Sequence, residues 1–125
     1  MELPRDCVML RIFVSEEDRA GHQPLYEAIV LAARERRLAG ATVLRGPMGY
    51  GRSAHLRTSK ILQLSDNLPL IIEIVDSPEN VDAFLPQLEG LMGSNSGLIT
   101  LTKVEVVLYG AKDPAVPAPT PLDPA

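Results

Sequence analysis

The alternation of apolar and polar positions sorts this chain into strand-like and helix-like segments joined by polar connections. Residues 7–14, CVMLRIFV, are apolar and interrupted only by Arg11. In an extended chain Val8, Leu10, Ile12 and Val14 share one face, and Cys7, Met9, Arg11 and Phe13 the other. Both faces are largely apolar, as in a central strand covered on two sides. After a polar connection ending at Gly21, the spacing predicts a helix from about Gln23, with Pro24 at its first position. Its apolar stripe is Leu25, Ala28, Ile29, Ala32 and Ala33, while Glu27, Arg34, Glu35 and Arg37 face outward. Gly40 is the expected left-handed C-cap.

Residues 41–48 form the second strand, weakened at Gly46-Pro47 because proline favours an edge or a bulge. Residues 68–76 form the third, with Leu70, Ile72 and Ile74 opposite Ile71, Glu73 and Val75. Ser77-Pro78-Glu79-Asn80 then starts a helix: a serine cap, a proline in the first turn and a carboxylate beside it. Val81, Phe84, Leu85, Leu88, Leu91 and Met92 are its stripe, and Pro86 should kink or split it. GSNSG at 93–97 is a turn, and residues 98–109 the last strand, with a bulge expected at Thr102-Lys103.

The order βαββαβ is that of the α+β, ferredoxin-like fold: a four-stranded antiparallel sheet with both helices on one face. One domain spans residues 1–112, and the proline-rich run 113–125 is an extended tail. Helices on one side leave the second apolar face of the sheet bare, and an oligomer that buries it is the simplest answer.

Between the second and third strands lie about 20 residues, far more than a hairpin needs. This loop, 49–67, therefore reads as functional or disordered. Its entrance, Gly49-Tyr50-Gly51-Arg52, suits an anion: glycines let backbone N–H groups approach closely, and arginine offers a planar fork. Thr42 at the second strand either donates a hydroxyl to a ligand or serves as an ordinary β-branched strand residue. His55, Arg57 and Lys60 are the loop residues expected to meet a partner, and residues 59–64 have enough helix formers for a short helix.

The chain has 125 residues and a net charge of −4, which argues against general nucleic-acid or anionic-membrane binding. Within it, Arg45, Arg52, Arg57, Lys60 and His55 form a local basic cluster, fitting a small anionic ligand or an acidic partner. Cys7 is the only cysteine, so no disulfide framework or thiolate metal site is expected, and it reads as a small buried hydrophobe. No signal-peptide pattern and no apolar run near the ~20 residues of a membrane helix is present, so a cytoplasmic protein is expected. His22 and His55 have no ligand-spaced companions, and no nucleophile–base arrangement stands out.

Three stretches together resemble the DUF190 group of PII-like proteins: GATVLRGPMGYGR before the loop, LPLIIEIVDSPENVDAFLP after it, and the ending SGLITLTKVEVVLYG. More distantly the chain is similar to the PII nitrogen-regulatory proteins, in which a Gly-x-Thr-Val strand leads to Gly-Phe-Gly-Arg at the base of the T-loop. The resemblance covers about residues 6–110. It implies a homotrimer with its sheets packed centrally, binding adenine nucleotides in clefts between subunits near the base of that loop. Carried over, the ligand-binding candidates are Gly40, Ala41 and Thr42, then Gly49, Tyr50, Gly51 and Arg52. Ser94, Asn95, Ser96 and Gly97 stand where those proteins have their B-loop. PII proteins follow the last B-loop glycine with lysine and end the final strand in arginines that hold polyphosphate. Here Leu98 follows Gly97 and no arginine ends the strand, which favours AMP or ADP over ATP.

The function expected is a non-enzymatic sensor that binds a small anion such as an adenine nucleotide, needs no fixed cofactor, and signals through the loop to a transporter or enzyme. The alternatives are a small cleft enzyme on a ferredoxin-like oligomer, with Tyr50, His55 or Asp76 as its titratable candidates, and a structural or metal-tolerance trimer of the CutA kind.

Overall fold

The computed structural model describes residues 2–59 and 67–110. Strand β1 (Asp6–Ser15) is followed by a small hairpin, β2 (Arg19–Ala20) and β3 (Gln23–Pro24), which runs directly into helix α1 (Leu25–Glu35). Next come β4 (Thr42–Arg45), the short strands β5 (Met48–Gly49) and β6 (Arg57–Thr58), β7 (Pro69–Asp76), helix α2 (Pro78–Met92) and β8 (Leu98–Glu105). Four strands form one sheet in the order β4-β7-β1-β8, each neighbouring pair antiparallel. This is the expected ferredoxin-like arrangement. Each helix crosses between parallel strands that enclose a third.

One sheet face is closed. Leu10, Ile12 and Val14 of β1 and Leu70, Ile72 and Ile74 of β7 pack on Leu25, Ile29, Ala32 and Ala33 of α1 and on Val81, Phe84, Leu88 and Met92 of α2. Fully burying side chains of this size contributes ~1.5–3 kcal/mol each before ordering entropy is charged. Asp76 is fully buried at the end of β7, with its hydrogen-bonding capacity used. Its Oδ2 accepts from Ala39 N at 2.8 Å, and its Oδ1 from Ser77 N at 2.6 Å and Asn80 Nδ2 at 2.9 Å. The carboxylate thus ties the start of α2 to the connection that leads into β4.

Several local expectations are corrected. Pro24 is the residue before α1, not its first turn, because Gln23 and Pro24 pair with the preceding strand. The left-handed residue after α1 is Arg37 (φ 60°), not Gly40. Leu38 N bonds Ala33 O at 3.1 Å and Arg37 N bonds Arg34 O at 3.0 Å, a Schellman closure in which Leu38 returns to the core. The second strand stops at Arg45, and the chain breaks at Gly46-Pro47 before resuming as β5. Helix α2 is a single element through Pro86, which lies on its exposed side. The last strand ends at Glu105 rather than Tyr109, and its register with β1 is unbroken across Thr102 and Lys103, so no bulge forms. Most of the 59–64 helix and all of the 113–125 tail lie outside the described residues.

Among the described residues, no helix lies over the second face of the sheet. Its side chains fall into transverse rows fixed by the register. Leu44, Ile71, Phe13 and Leu98 make an apolar row across all four strands. Below it Thr42, Glu73, Arg11 and Thr100 make a polar one, and then Val75, Met9 and Thr102 follow. Arg11 and Glu73 form an ion pair at 2.7 Å in the middle of this face.

Candidate functional site

A cleft of about 670 Å³ opens on the uncovered face, where the connection into β4 meets the end of β8. Gly40, Ala41 and Thr42 form one rim; Met9, Glu73 and Val75 form the floor; residues 104–109 form the far wall with Leu3. The far wall is held in place by two contacts. Val106 N bonds Arg5 O at 2.7 Å, and the Tyr109 hydroxyl donates to Ala39 O at 2.5 Å. Beyond β8, Val107 and Leu108 remain exposed. The lining is mostly apolar, and among the described residues its only charged members are the carboxylates of Glu73 and Glu105. Glu105 is paired with Arg5 at 2.8 Å. An apolar slot with backbone amides, a hydroxyl and a carboxylate suits a flat, donor-bearing group and repels phosphate.

The sequence-predicted site residues are therefore split. Gly40, Ala41 and Thr42 line the cleft at the end of the sheet where β4 begins. Gly49, Tyr50, Gly51 and Arg52 lie beyond the other end of β4, whose four residues alone span about 13 Å at ~3.3 Å per residue. Tyr50 is 75% exposed, and Arg52 is exposed with no ion pair or hydrogen bond to any described residue. Ser94, Asn95, Ser96 and Gly97 precede β8, the opposite edge of the sheet from β4. Three interstrand steps of ~4.8 Å separate those edges. One chain does not bring the three groups together.

Two of these candidates have structural work of their own. Asn95 donates through Nδ2 to Arg19 O at 2.7 Å and Met92 O at 2.9 Å, closing the end of α2. A side chain at Gly97 would displace the Met92 methyl and stand 3.0 Å from Phe13 O, so packing favours glycine there. At Gly49 a Cβ would press on Pro69 at 3.1 Å, whereas Gly51 has open space around it.

The partner-contact group divides as well. His55 is exposed, and Lys60 lies outside the described residues. Arg57 is only 16% exposed: it pairs with Glu17 and reaches Asn67 O at 3.5 Å. Asn67 Nδ2 also donates to Glu17, at 3.1 Å. Next to them Glu16 accepts from Arg45 and from Leu68 N, each at 2.9 Å. Arg57 is thus a clamp at the foot of the loop, not a free contact, and both described feet are tied to the turn after β1. Glu16 and Glu17 were missed because the sequence showed them only as a polar connection. Glu73 and Val75 were placed on the second face but given no role; a lone carboxylate between two apolar neighbours was the available signal.

Cys7 is 2% exposed, and its Sγ donates to Pro4 O at 3.1 Å. Burial, then the nearby Asp76, Asp6 and Glu79, push its thiol above the ordinary value. Among the described residues no three His, Cys, Asp or Glu side chains are placed to hold a metal ion, and no helix is long and apolar enough to cross a membrane.

Residues 7–106 match the family model DUF190, described as Uncharacterized ACR. The chain belongs to the DUF190 family. Among its DUF190 relatives is a UPF0166 protein of Aquifex aeolicus, 42% identical over 99 residues, or 79% of this chain and 91% of that protein. A UPF0166 protein of Methanocaldococcus jannaschii is 37% identical over 98 residues, or 78% and 89%. The fold is similar to that of CPII, a nitrogen regulatory PII-like protein from Thiomonas intermedia K12 whose structure contains ADP, AMP and bicarbonate. That likeness has a TM-score of 0.61 at 16% identity, covering 81% of this chain and 88% of CPII.

Proposed function

We propose that this DUF190 protein is a non-enzymatic, PII-like regulator. It binds an adenine nucleotide, AMP or ADP in preference to ATP, at sites shared between copies of itself. The observation that carries this is the division of labour between the parts. The cleft beside Gly40, Ala41 and Thr42 has an apolar wall but no cation, while the unpaired Arg52 and its glycines lie at the other end of β4. The cleft suits a base and sugar, and the loop entrance suits phosphate; a second copy is needed to bring them together. The uncovered apolar row Leu44, Ile71, Phe13 and Leu98 supplies a face for that copy, and a rotational trimer with the sheets at its centre closes it. CPII, bound to ADP and AMP on the same fold, supports the choice of ligand.

Occupancy would be reported by the loop 49–67 to a transporter or enzyme, because ligand phosphate at Arg52 favours one loop arrangement over others. The cation-poor cleft, with Leu98 after Gly97, argues against ATP. The test is calorimetric titration of AMP, ADP, ATP and cyclic AMP, with the mass in solution measured alongside. A trimer that binds AMP or ADP more tightly than ATP supports the reading. A protein that binds none of them, or binds them as a single chain, overturns it.

A further inference from the structure

Glu73 is the one ionisable floor residue of the cleft, set between the apolar neighbours Ile71 and Val75 on its strand. Its Oε2 accepts from Arg11 Nε at 2.7 Å, while its Oε1 has no partner among the described residues. Arg11 stands opposite Glu73 on β1 and does not itself line the cleft, so it holds the carboxylate from the side away from the rim. On the other side, Thr42 is in register with Glu73. Facing pairs of this kind lie ~5 Å apart at Cβ, so a group at the rim meets the Thr42 hydroxyl and the Glu73 carboxylate together.

An ionised carboxylate only accepts hydrogen bonds. We infer that Arg11 is a positioning residue. By occupying Oε2 it fixes Glu73 with Oε1 available to an uncharged N–H or O–H donor of the ligand. This makes the cleft select ligands that bring a donor there and reject those that bring a carbonyl or a phosphate. The inference rests on the nucleotide reading above and adds to it the chemistry by which ligands are sorted. Without Arg11, the carboxylate is free to turn among its rotamers, and that freedom blurs the choice. A purine nucleotide has two donors of this class, the exocyclic amine and the sugar hydroxyls, and Thr42 can assist either one.

The experiment titrates AMP, inosine monophosphate, 2′-deoxy-AMP, 3′-deoxy-AMP and inorganic phosphate into the full chain and into Arg11→Met, Arg11→Lys and Glu73→Gln. Unliganded melting and mass are recorded for each. The wild type should bind AMP roughly tenfold or more tightly than the analogue lacking the donor that Glu73 reads, a change typical of losing a hydrogen bond to a charged group. That analogue is the inosine nucleotide if the donor is the amine, and the matching deoxy nucleotide if it is a hydroxyl. Arg11→Met and the isosteric Glu73→Gln should bring the ratio towards one, and Arg11→Lys should restore it. Phosphate alone should not compete for the cleft. If Arg11→Met shifts melting or mass but leaves the ratio intact, Arg11 is structural only and the inference fails. If wild type binds AMP, inosine monophosphate and both deoxy nucleotides equally, Glu73 reads no donor, and the inference fails while the nucleotide reading stands. If wild type binds none of them, both fall.

Discussion

The two faces of the one sheet follow different rules. The face under the helices is apolar along β1 and β7, and its buried carboxylate, Asp76, sits at the margin with three donors around it. The open face has the same kind of apolar rows, yet a band of Thr42, Glu73, Arg11 and Thr100 cuts across them. Stability explains the first face completely. It does not explain the second, because an apolar residue at either position of an ion pair would pack at least as well against a second copy. On the proposed reading the ligand site lies on the open face, and the following substitutions test it.

The largest effect belongs to the closed face. Ile72→Ala should lower stability by about 3 kcal/mol in urea unfolding, within the range for large-to-small core changes, and should leave mass unchanged. Phe13→Asp, in the open apolar row, should do the reverse: the mass should fall to that of one chain while the fold's circular dichroism persists. If both variants lose stability alike and neither changes mass, the two faces are not distinct.

Asp76→Ala strands the donors at Ala39, Ser77 and Asn80. It should cost about 2–3 kcal/mol, with the isosteric Asp76→Asn costing less because one acceptor oxygen remains. Arg52→Ala should leave melting of the free protein unchanged and weaken AMP binding roughly tenfold, since a charged donor to phosphate is lost. Equal AMP binding in that variant would remove the loop entrance from the site.

Cys7 gives a smaller effect, dependent on pH. Its folded-state proton is held more tightly than in the unfolded chain. Below the ordinary thiol pKa both states keep the proton, and no stability is lost. As pH rises above about 9, the unfolded chain ionises first and stability falls. Urea midpoints measured from pH 8 to 10 should decline more steeply in wild type than in Cys7→Ala; parallel declines would refute this. The smallest effect is expected at the half-exposed loop clamp. Glu17→Gln should cost no more than ~1 kcal/mol globally but speed hydrogen exchange at residues 57–58 and 67–68.

The sequence revealed the fold well because alternation in β1 and β7 and the stripes of both helices are local signals that agree with the tertiary arrangement. It misplaced the turn after α1 because Arg37 adopts the left-handed conformation that glycine usually takes, and a Schellman closure with Leu38 in the core stabilises it. The site was legible only in part. Residues 40–42 were found through their resemblance to a strand pattern, whereas Glu73 needed the register that sets it beside Thr42 and Arg11. Arg57 read as a free cation because its partner, Glu17, lies 40 positions away. Pairings across that distance in sequence have no local signature.

Mixed oligomers test the shared site most directly. A Cβ at Gly40 meets no atom within 4 Å, so Gly40→Trp can carry a bulky ring on the cleft's rim, and Arg52→Ala removes the cation of the loop entrance. Alone, Gly40→Trp should fail to bind AMP, and Arg52→Ala should bind it roughly tenfold more weakly than wild type at every site. Co-expressed in equal amounts, they should recover wild-type affinity at about a quarter of the sites, the fraction in which random assembly pairs an intact cleft with an intact loop. Mixed oligomers with no site of wild-type affinity, although each variant assembles normally, would show that the cleft and the loop do not combine across chains.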